Sequence, residues 1–191
     1  QVSVREDSII EKFYTLHQQP LYWFTSRRNM KRAIEWITLI ETADKLKGVS
    51  NKLQTDKIRT ALYSYNTIDS VYKVNTDKQI TRMVLNFIKD LQQGNIHFDY
   101  DEVSVPRDTV YMYQLLNSNN RKRVSKIIEQ LECKDPDYVI LKKYLNDSIT
   151  VNDTLKYKTV LLAMNYRKYF TTNYSSEYII VNIPAVETEY Y

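Results

Sequence analysis

Cys133 carries the strongest potential nucleophile of this sequence, and it is the only cysteine among the 191 residues. A catalytic thiolate needs a base, a positive charge or a helix N-terminus to lower the pKa of the thiol. Cys133 has Lys134 beside it but no adjacent histidine and no preceding glycine. The two histidines, His17 and His97, are far apart and lack the spacing of metal ligands. We therefore predict an inert thiol and two packed or surface imidazoles.

Two pairs of aspartates have a spacing that invites comparison with the acid and base of a glycoside hydrolase: Asp99 with Asp101, and Asp135 with Asp137. Both pairs lie next to predicted turns or helix starts, where aspartate is favoured as a capping residue. Helix capping is therefore the simpler explanation for them. The sequence predicts no catalytic residue, no cofactor-binding residue and no metal ligand in this chain.

Basic residues form two clusters: Arg27, Arg28, Lys31 and Arg32, and Arg121, Lys122, Arg123 and Lys126. Clusters of this kind are able to bind anionic wall polymer, lipid headgroups or nucleic acid. Neither cluster is interleaved with aromatic residues at a spacing suited to stacking on bases, and the formal net charge is only +4. We therefore expect solvated helix faces and predict no nucleic-acid partner.

The composition is typical of a globular chain with a substantial core. Apolar residues make up 43% of the sequence, and only two glycines and four prolines are present, which argues against long linkers and disorder. No run of roughly 18 apolar residues exists, so no membrane-spanning segment is predicted. No signal peptide is visible at the start. The 17 tyrosines suit helix packing near a wet surface, and also contacts with carbohydrate or a partner.

Apolar residues recur every three or four positions over most of the chain, which predicts a series of amphipathic helices. They span residues 7–16, 26 or 29 to 47, 56–72, 76–94, 109–116, 121–131, 136–145 and 153–170. The clearest of them begins with a capping box formed by Thr76 and Gln79, and we expect its Phe87 side chain to be buried. From Asn95 to Pro106 the helical period is lost, and residues 96–100 are expected to be extended.

The last residues, 178–191, follow a different pattern. Ile179, Val181 and Ile183 fall on one face, a period of two that predicts a β-strand. Pro184 removes a backbone donor and predicts a bend or bulge, after which the alternation resumes. A lone strand is unstable in water, and the chain offers it no obvious partner. We therefore expect this segment to belong to a sheet that lies mostly outside the chain.

Residues 178–186, with the sequence Tyr-Ile-Ile-Val-Asn-Ile-Pro-Ala-Val, resemble the opening strand of the catalytic domain in the large murein L,D-transpeptidases. In that family the strand follows a helix with an Asn-aromatic-Arg sequence, which is present here as Asn165, Tyr166 and Arg167. Three upstream segments resemble landmarks of the family's helical scaffold domain: residues 10–14, 20–23 and 135–141. The resemblance spans nearly the whole chain and is most specific between Asn165 and Pro184.

The resemblance implies that the chain is one part of a larger enzyme. Residues 1–175 would form the scaffold domain, and residues 176–191 the first strand of a truncated catalytic domain. In this family a cysteine thiolate, paired with a histidine in a His-then-Ser-x-Gly-Cys sequence, attacks a peptidoglycan stem peptide, and that sequence is absent here. The chain is therefore expected to be a non-catalytic support, without a cofactor, of an exported transpeptidase that cross-links stem peptides in the periplasm or cell envelope.

The predicted fold class is mainly α, a multi-helix scaffold domain followed by one or two C-terminal β-strand segments. Some family members insert a small peptidoglycan-binding module between the last scaffold helices, and the connection at residues 146–153 is too short to hold one. Two alternatives remain. One is a stand-alone helical module that binds cell-wall glycan or a partner protein, and the other is a nucleic-acid binder. The sequence predicts neither the oligomeric state nor the surface that contacts substrate.

Overall fold

A computed structural model gives the protein a mainly helical fold, which confirms the mainly α part of the predicted class. It describes the backbone of residues 2–46, 52–94, 110, 112, 114–115, 123–145, 147, 150, 152–173, 179–182 and 187–190. Seven helices lie within these residues: α1 (Val2–His17), α2 (Arg27–Leu46), α3 (Lys52–Tyr63), α4 (Ser70–Gln93), α5 (Val124–Leu131), α6 (Pro136–Leu145) and α7 (Thr154–Asn173). A 3-10 turn, Trp23–Thr25, lies between α1 and α2.

Side-chain caps explain where four of these helices begin. The capping oxygens accept backbone N–H groups as follows: Ser26 from Asn29 (3.1 Å), Asp69 from Tyr72 (2.8 Å), Asp135 from Tyr138 (2.9 Å), and Asp153 from Leu155 and Lys156 (both 3.1 Å). Each bond satisfies a donor that the helix N-terminus leaves open. Pro136, at the first position of α6, lacks a donor that would have had no helical partner, and α6 has the predicted bounds.

The boundary between α3 and α4 differs from the prediction. α3 ends at Tyr63, the chain turns at residues 64–67, and α4 begins at Ser70. Thr76 is therefore an interior residue of α4, and it is only 4% exposed. The predicted cap at Thr76 is wrong, because Asp69 supplies the side-chain oxygen that the first turn of the helix needs.

The buried face of α4 differs from the prediction at Phe87. Its most buried apolar residues are Ile80, Val84, Leu85 and Ile88, each at most 5% exposed. Phe87 is only half-buried, and its ring meets Trp36 edge-on with centroids 6.2 Å apart. The expected burial of Phe87 is only partly met, since the most buried residues are Ile80, Val84, Leu85 and Ile88 and Phe87 lies at the edge of this stripe.

The chain divides into two compact units, Gln1–Ile88 with Pro106–Gln130, and Lys89–Val105 with Leu131–Tyr191. In the first unit α2 packs against the 3-10 turn and α3, around large side chains that are almost fully buried: Phe13, Tyr22, Trp23, Trp36, Ile37, Ile58 and Ile80. In the second unit α6 packs against α7, and Tyr138, Met164 and Tyr169 are buried. The boundary predicted between residues 175 and 176 stays a prediction.

Gly94 ends α4, as the sequence predicts, and it also permits a close approach inside the second unit. Its φ is +71°, a backbone conformation that other residues rarely adopt. Its N–H donates to the Asp90 carbonyl at 3.1 Å, a helix-terminating bond. A Cβ atom at this position would lie 2.8 Å from the carbonyl oxygen of Asn165. Glycine is therefore required both for the turn and for the distance to α7.

The last described residues form two short strands, β1 (Ile179–Asn182) and β2 (Glu187–Tyr190). They pair antiparallel, with Ile179 opposite Tyr190 and Asn182 opposite Glu187. β1 thus pairs within the chain, in contrast to the expectation that its partner lies outside. A two-stranded pair is marginal in water by itself.

Several predictions concern residues outside the described ranges: the extended segment 96–100, His97, the pair Asp99 and Asp101, the cluster members Arg121 and Lys122, and the bend at Pro184. The helix predicted at residues 109–116 lies partly outside them. Its described members, residues 110, 112, 114 and 115, have helical backbone.

Candidate functional site

Asp77 lies on the core face of α4, and its side chain is completely buried. Its Oδ1 accepts the hydroxyl of Tyr14 and the N–H of Tyr22 (2.9 Å), and its Oδ2 accepts the N–H groups of Trp23 (2.8 Å) and Phe24 (3.0 Å). Three successive amides at the start of the 3-10 turn thus converge on one carboxylate. We call this arrangement of Asp77, Tyr14 and residues 22–24 the Asp77 hub.

A threonine extends the Asp77 hub into a connected hydrogen-bond network. The Thr81 hydroxyl lies 2.8 Å from the hydroxyl of Tyr14 and accepts the indole N–H of Trp23 at 2.9 Å. Thr81 also donates to the Asp77 carbonyl at 3.1 Å, one turn back along α4. Networks of this kind are stable when their members are satisfied and costly when one partner is removed.

The electrostatics of the Asp77 hub follow from its burial. Burial raises the pKa of the Asp77 carboxyl, while hydrogen bonds from Tyr14 and the three amides oppose the rise. Burial also raises the pKa of Tyr22 to about 12. Such shifts mark functional sites in many proteins, but this carboxylate is closed to solvent and already binds four donors of the fold. The Asp77 hub therefore holds the 3-10 turn in place and is not a site for substrate.

Sequence analysis missed Asp77, although its position carried a signal. Asp77 precedes Ile80, Val84 and Ile88 at helical spacing, so it lies on an apolar helix face where a charged side chain is costly without partners. The pattern indicates a buried acceptor. It does not identify the donors, which lie more than 50 residues away in the sequence.

The surroundings of Cys133 and His17 are those of packed residues and not of a catalytic pair. Cys133 is half-buried, and its Sγ lies 3.8 Å from the hydroxyl of Thr171, which does not act as a base. His17 packs against the rings of Phe13 (centroids 6.2 Å apart) and Tyr22 (4.9 Å). The predicted packed imidazole is confirmed for His17. Cys133 and His17 belong to different units.

The described aspartate pair has a structural explanation for both members. Asp135 caps α6, as the sequence predicts, and Asp137 forms an ion pair with Arg167 of α7. One carboxylate is therefore occupied by a backbone amide and the other by a guanidinium. Among the described residues, no group of three or more histidine, cysteine or acidic side chains is arranged to hold a metal ion.

An open groove of about 450 Å³ lies between α6 and α7. We call it the α6–α7 groove; its lining includes Asp137, Ile140, Leu141, Tyr166, Arg167 and Phe170. The rings of Tyr166 and Phe170 are nearly parallel, with centroids 6.3 Å apart, and Ile140 is 50% exposed. The groove therefore offers aromatic and aliphatic surface, with one ion pair among its lining residues.

The two basic clusters are only partly solvated, in contrast to the prediction. Arg27, Arg28 and Lys31 are exposed, whereas Arg32 is only 7% exposed. In the second cluster Lys126 pairs with Glu129 at 2.8 Å, one turn along α5. The expectation of solvated faces is wrong for Arg32, because the guanidinium lies inside the first unit, where burial lowers its pKa.

One member of each cluster lines a second groove, of about 410 Å³, in the first unit. We call it the α2–α5 groove; its lining includes Lys31, Ile34, Glu35, Leu39, Arg123 and Val124. Lys31 and Arg123 are both exposed. Two cations that are 92 positions apart in the sequence thus line the same groove. Their spacing in the sequence did not predict this.

Residues 8–145, which include α2 to α6, match the model of a family described as Scaffold domain. The chain belongs to the scaffold-domain family. A search of curated proteins and of solved structures gives no match. The predicted scaffold domain is therefore confirmed, while α7 and the strands follow the matched residues. None of the described helices of this scaffold domain combines the length and the apolar character needed to cross a membrane.

Proposed function

We propose that this scaffold domain belongs to a murein L,D-transpeptidase and supports a catalytic domain whose first strand is β1. The proposal is supported by the family match over residues 8–145 and by the resemblance of the Asn165, Tyr166 and Arg167 sequence and the strand that follows it. The enzyme would join two peptidoglycan stem peptides by acyl transfer in the periplasm or cell envelope. The scaffold domain would contribute rigidity and substrate access.

The observation that carries the proposal is the way α7 is fixed at the residues of the resemblance. The Asn165 backbone makes the close approach to Gly94, and Arg167 forms the ion pair with Asp137. Lys168 donates to the Asp90 carbonyl at 3.1 Å. Three contacts within four residues thus tie α7 to the rest of the second unit, before the chain continues to β1. A helix held in this way is suited to fix the starting point of the next domain.

The chemistry of the proposed reaction requires groups that this chain does not bring together among its described residues. Acyl transfer to cysteine needs a thiolate, a base to activate it, and donors for the oxyanion. The Cys133 thiol lies 3.8 Å from the hydroxyl of Thr171, which does not act as a base. The nucleophile would therefore come from a Ser-x-Gly-Cys sequence downstream of β2.

The test compares the 191-residue chain with a protein extended along its own reading frame past Tyr191. Both are incubated with a disaccharide-tetrapeptide, and the products are analysed by mass spectrometry. We expect cross-linked dimer and released D-alanine only with the extended protein, and neither after its Ser-x-Gly-Cys cysteine is changed to alanine. Cys133→Ser in the extended protein is the matched control and should leave product formation unchanged. An extension without that cysteine sequence, or activity in the 191-residue chain, would overturn the proposal.

A second candidate function, binding of cell-wall glycan by a stand-alone helical module, is favoured by the α6–α7 groove. Stacked aromatic rings beside charged hydrogen-bonding groups suit a sugar, which has apolar ring faces and polar edges. The test is titration of the 191-residue chain with soluble glycan strands, monitored by tyrosine fluorescence. Phe170→Ala should weaken binding if the groove takes sugar, whereas Leu155→Ala, at a 76% exposed position of the same helix, should not.

A further inference from the structure

The α2–α5 groove combines an apolar floor with positive charge. Ile34 and Leu39 are half-buried and Val124 is fully buried, so the floor is aliphatic. Lys31 and Arg123 are exposed members of the same lining. The volume of about 410 Å³ lies within the range of roughly 300–1,000 Å³ at which proteins bind small ligands or parts of larger ones.

The lining of the groove includes two cations and one acidic residue, Glu35. Glu35 is half-buried and interacts with the buried Arg32: burial lowers the pKa of the Arg32 guanidinium, and the Glu35 carboxylate opposes that fall. With Lys31 and Arg123 against one carboxylate, the lining keeps an excess of positive charge. Arg27 and Arg28 lie on the exposed surface one turn before Lys31 and add to the local positive potential.

This pattern selects among ligand classes by charge complementarity. A neutral glycan would leave the cations without partners, and a nucleic acid would need aromatic side chains for its bases or a longer track of cations for its phosphates. An acidic peptide matches both features, because its carboxylates pair with Lys31 and Arg123 while its small apolar groups, such as alanine methyl groups, lie on Ile34 and Leu39. Arginine is especially suited to bind carboxylates in a bidentate manner.

We infer that the α2–α5 groove is a docking site for an acidic peptide. This inference rests on the proposed function, under which the peptide is a peptidoglycan stem peptide, with carboxylates on its glutamate, its diamino acid and its terminal alanine. The scaffold domain then holds a strand of substrate at a site of its own, in addition to the site where the reaction occurs. The whole groove lies within residues 8–145, the part of the chain that carries the family match.

The inference is tested by titrating the 191-residue chain with the tetrapeptide L-alanyl-γ-D-glutamyl-meso-diaminopimelyl-D-alanine in a calorimeter at low and at moderate salt. We expect the double variant Lys31→Gln, Arg123→Gln to lose about five- to tenfold in affinity, as two exposed ion pairs imply. Lys12→Gln with Lys57→Gln removes the same charge at two exposed positions outside the groove and should have little effect. A peptide with amidated carboxylates should bind more weakly, and salt should weaken binding of the free acid.

Three outcomes would overturn the inference. They are equal binding of the amidated peptide, an equal loss in the Lys12 and Lys57 control, and tighter binding of a DNA duplex or an anionic vesicle through Lys31 and Arg123. Lys31→Arg should retain affinity, which guards against a purely structural effect of substitution. The test needs no catalysis. Cross-linking by the extended protein without tetrapeptide binding to the groove would reject this inference alone, and binding without a downstream Ser-x-Gly-Cys sequence would reject only the transpeptidase assignment.

Discussion

Replacement of Asp77 by asparagine tests the Asp77 hub directly, because asparagine keeps the size of the side chain and exchanges one acceptor oxygen for a donor NH₂ group. If the NH₂ group replaces Oδ2, it faces the amides of both Trp23 and Phe24. If it replaces Oδ1, it faces the Tyr22 amide and the Tyr14 hydroxyl. The hydroxyl is able to rotate and accept. The second orientation is therefore preferred, and it leaves one buried backbone N–H without an acceptor.

The expected cost follows from this geometry. An orphaned buried N–H costs about 1–3 kcal/mol, and each bond to Oδ2 loses the roughly 1 kcal/mol that separates charged from neutral acceptors. The variant no longer buries a charge, and this gain offsets part of the cost. We therefore expect Asp77→Asn to lower the free energy of unfolding by about 2–4 kcal/mol, a large share of the roughly 5–15 kcal/mol that is typical of domains.

Urea unfolding at neutral pH, followed by circular dichroism and tryptophan fluorescence, measures this difference. Asp69→Asn is the matched control, since Asp69 is exposed and caps α4 through the Tyr72 amide at 2.8 Å. Asparagine and aspartate are about equally good caps, so the control should change stability by only a few tenths of a kcal/mol. Equal effects from the two variants would refute the reasoning. A more stable Asp77→Asn protein would show that burying the charge costs more than its hydrogen bonds return.

Three further predictions concern single positions. Gly94→Ala should cost about 2–4 kcal/mol, since φ is +71° and the new Cβ would lie 2.8 Å from the Asn165 carbonyl oxygen; an unchanged urea midpoint would contradict this. The backbone hydrogen bond from Lys156, together with its charge, lowers the pKa of Asp153. The cap therefore stabilises α7 above the usual aspartate pKa of about 3.9 and loses this effect as the pH falls through the lowered value. The stability advantage of wild type over Asp153→Ala should accordingly shrink in acid, and a pH-independent difference would contradict it. Cys133→Ser should change stability by less than about 1 kcal/mol, and a larger loss in urea unfolding would show that the thiol has a packing role.

Local chemistry explains which parts of the fold the sequence predicts. The bounds of α6 follow from Asp135 and Pro136, two adjacent residues whose effects do not depend on the rest of the chain. Gly94 ends α4 for an equally local reason. Thr76 with Gln79 has the pattern of a capping box, but the same two residue types also occur inside helices. Thr76 is a buried interior residue of α4, so tertiary packing and the Asp69 cap override the local pattern.

Contacts between distant segments explain what the sequence does not predict. The donors for Asp77 come from residues 22–24, and periodicity identifies a face of a helix but not what packs on it. The same limit applies to the α2–α5 groove, which Lys31 and Arg123 both line although they are far apart in the sequence. Each basic cluster by itself has the pattern of a solvated helix face. The combination of positive charge and apolar surface is visible only in the fold, where one side chain from each cluster lies beside apolar residues.

The Asp77 hub and the α2–α5 groove are connected through the first turn of α2. The hub fixes the Tyr22 amide, and the Tyr22 carbonyl accepts the Asn29 side-chain amide at 3.0 Å. Asn29 also donates to the Thr25 hydroxyl at 2.7 Å, so the 3-10 turn and the start of α2 are held together. Lys31 follows within the same turn of helix. The buried carboxylate therefore helps to hold the turn of α2 that carries Lys31, one of the two groove cations.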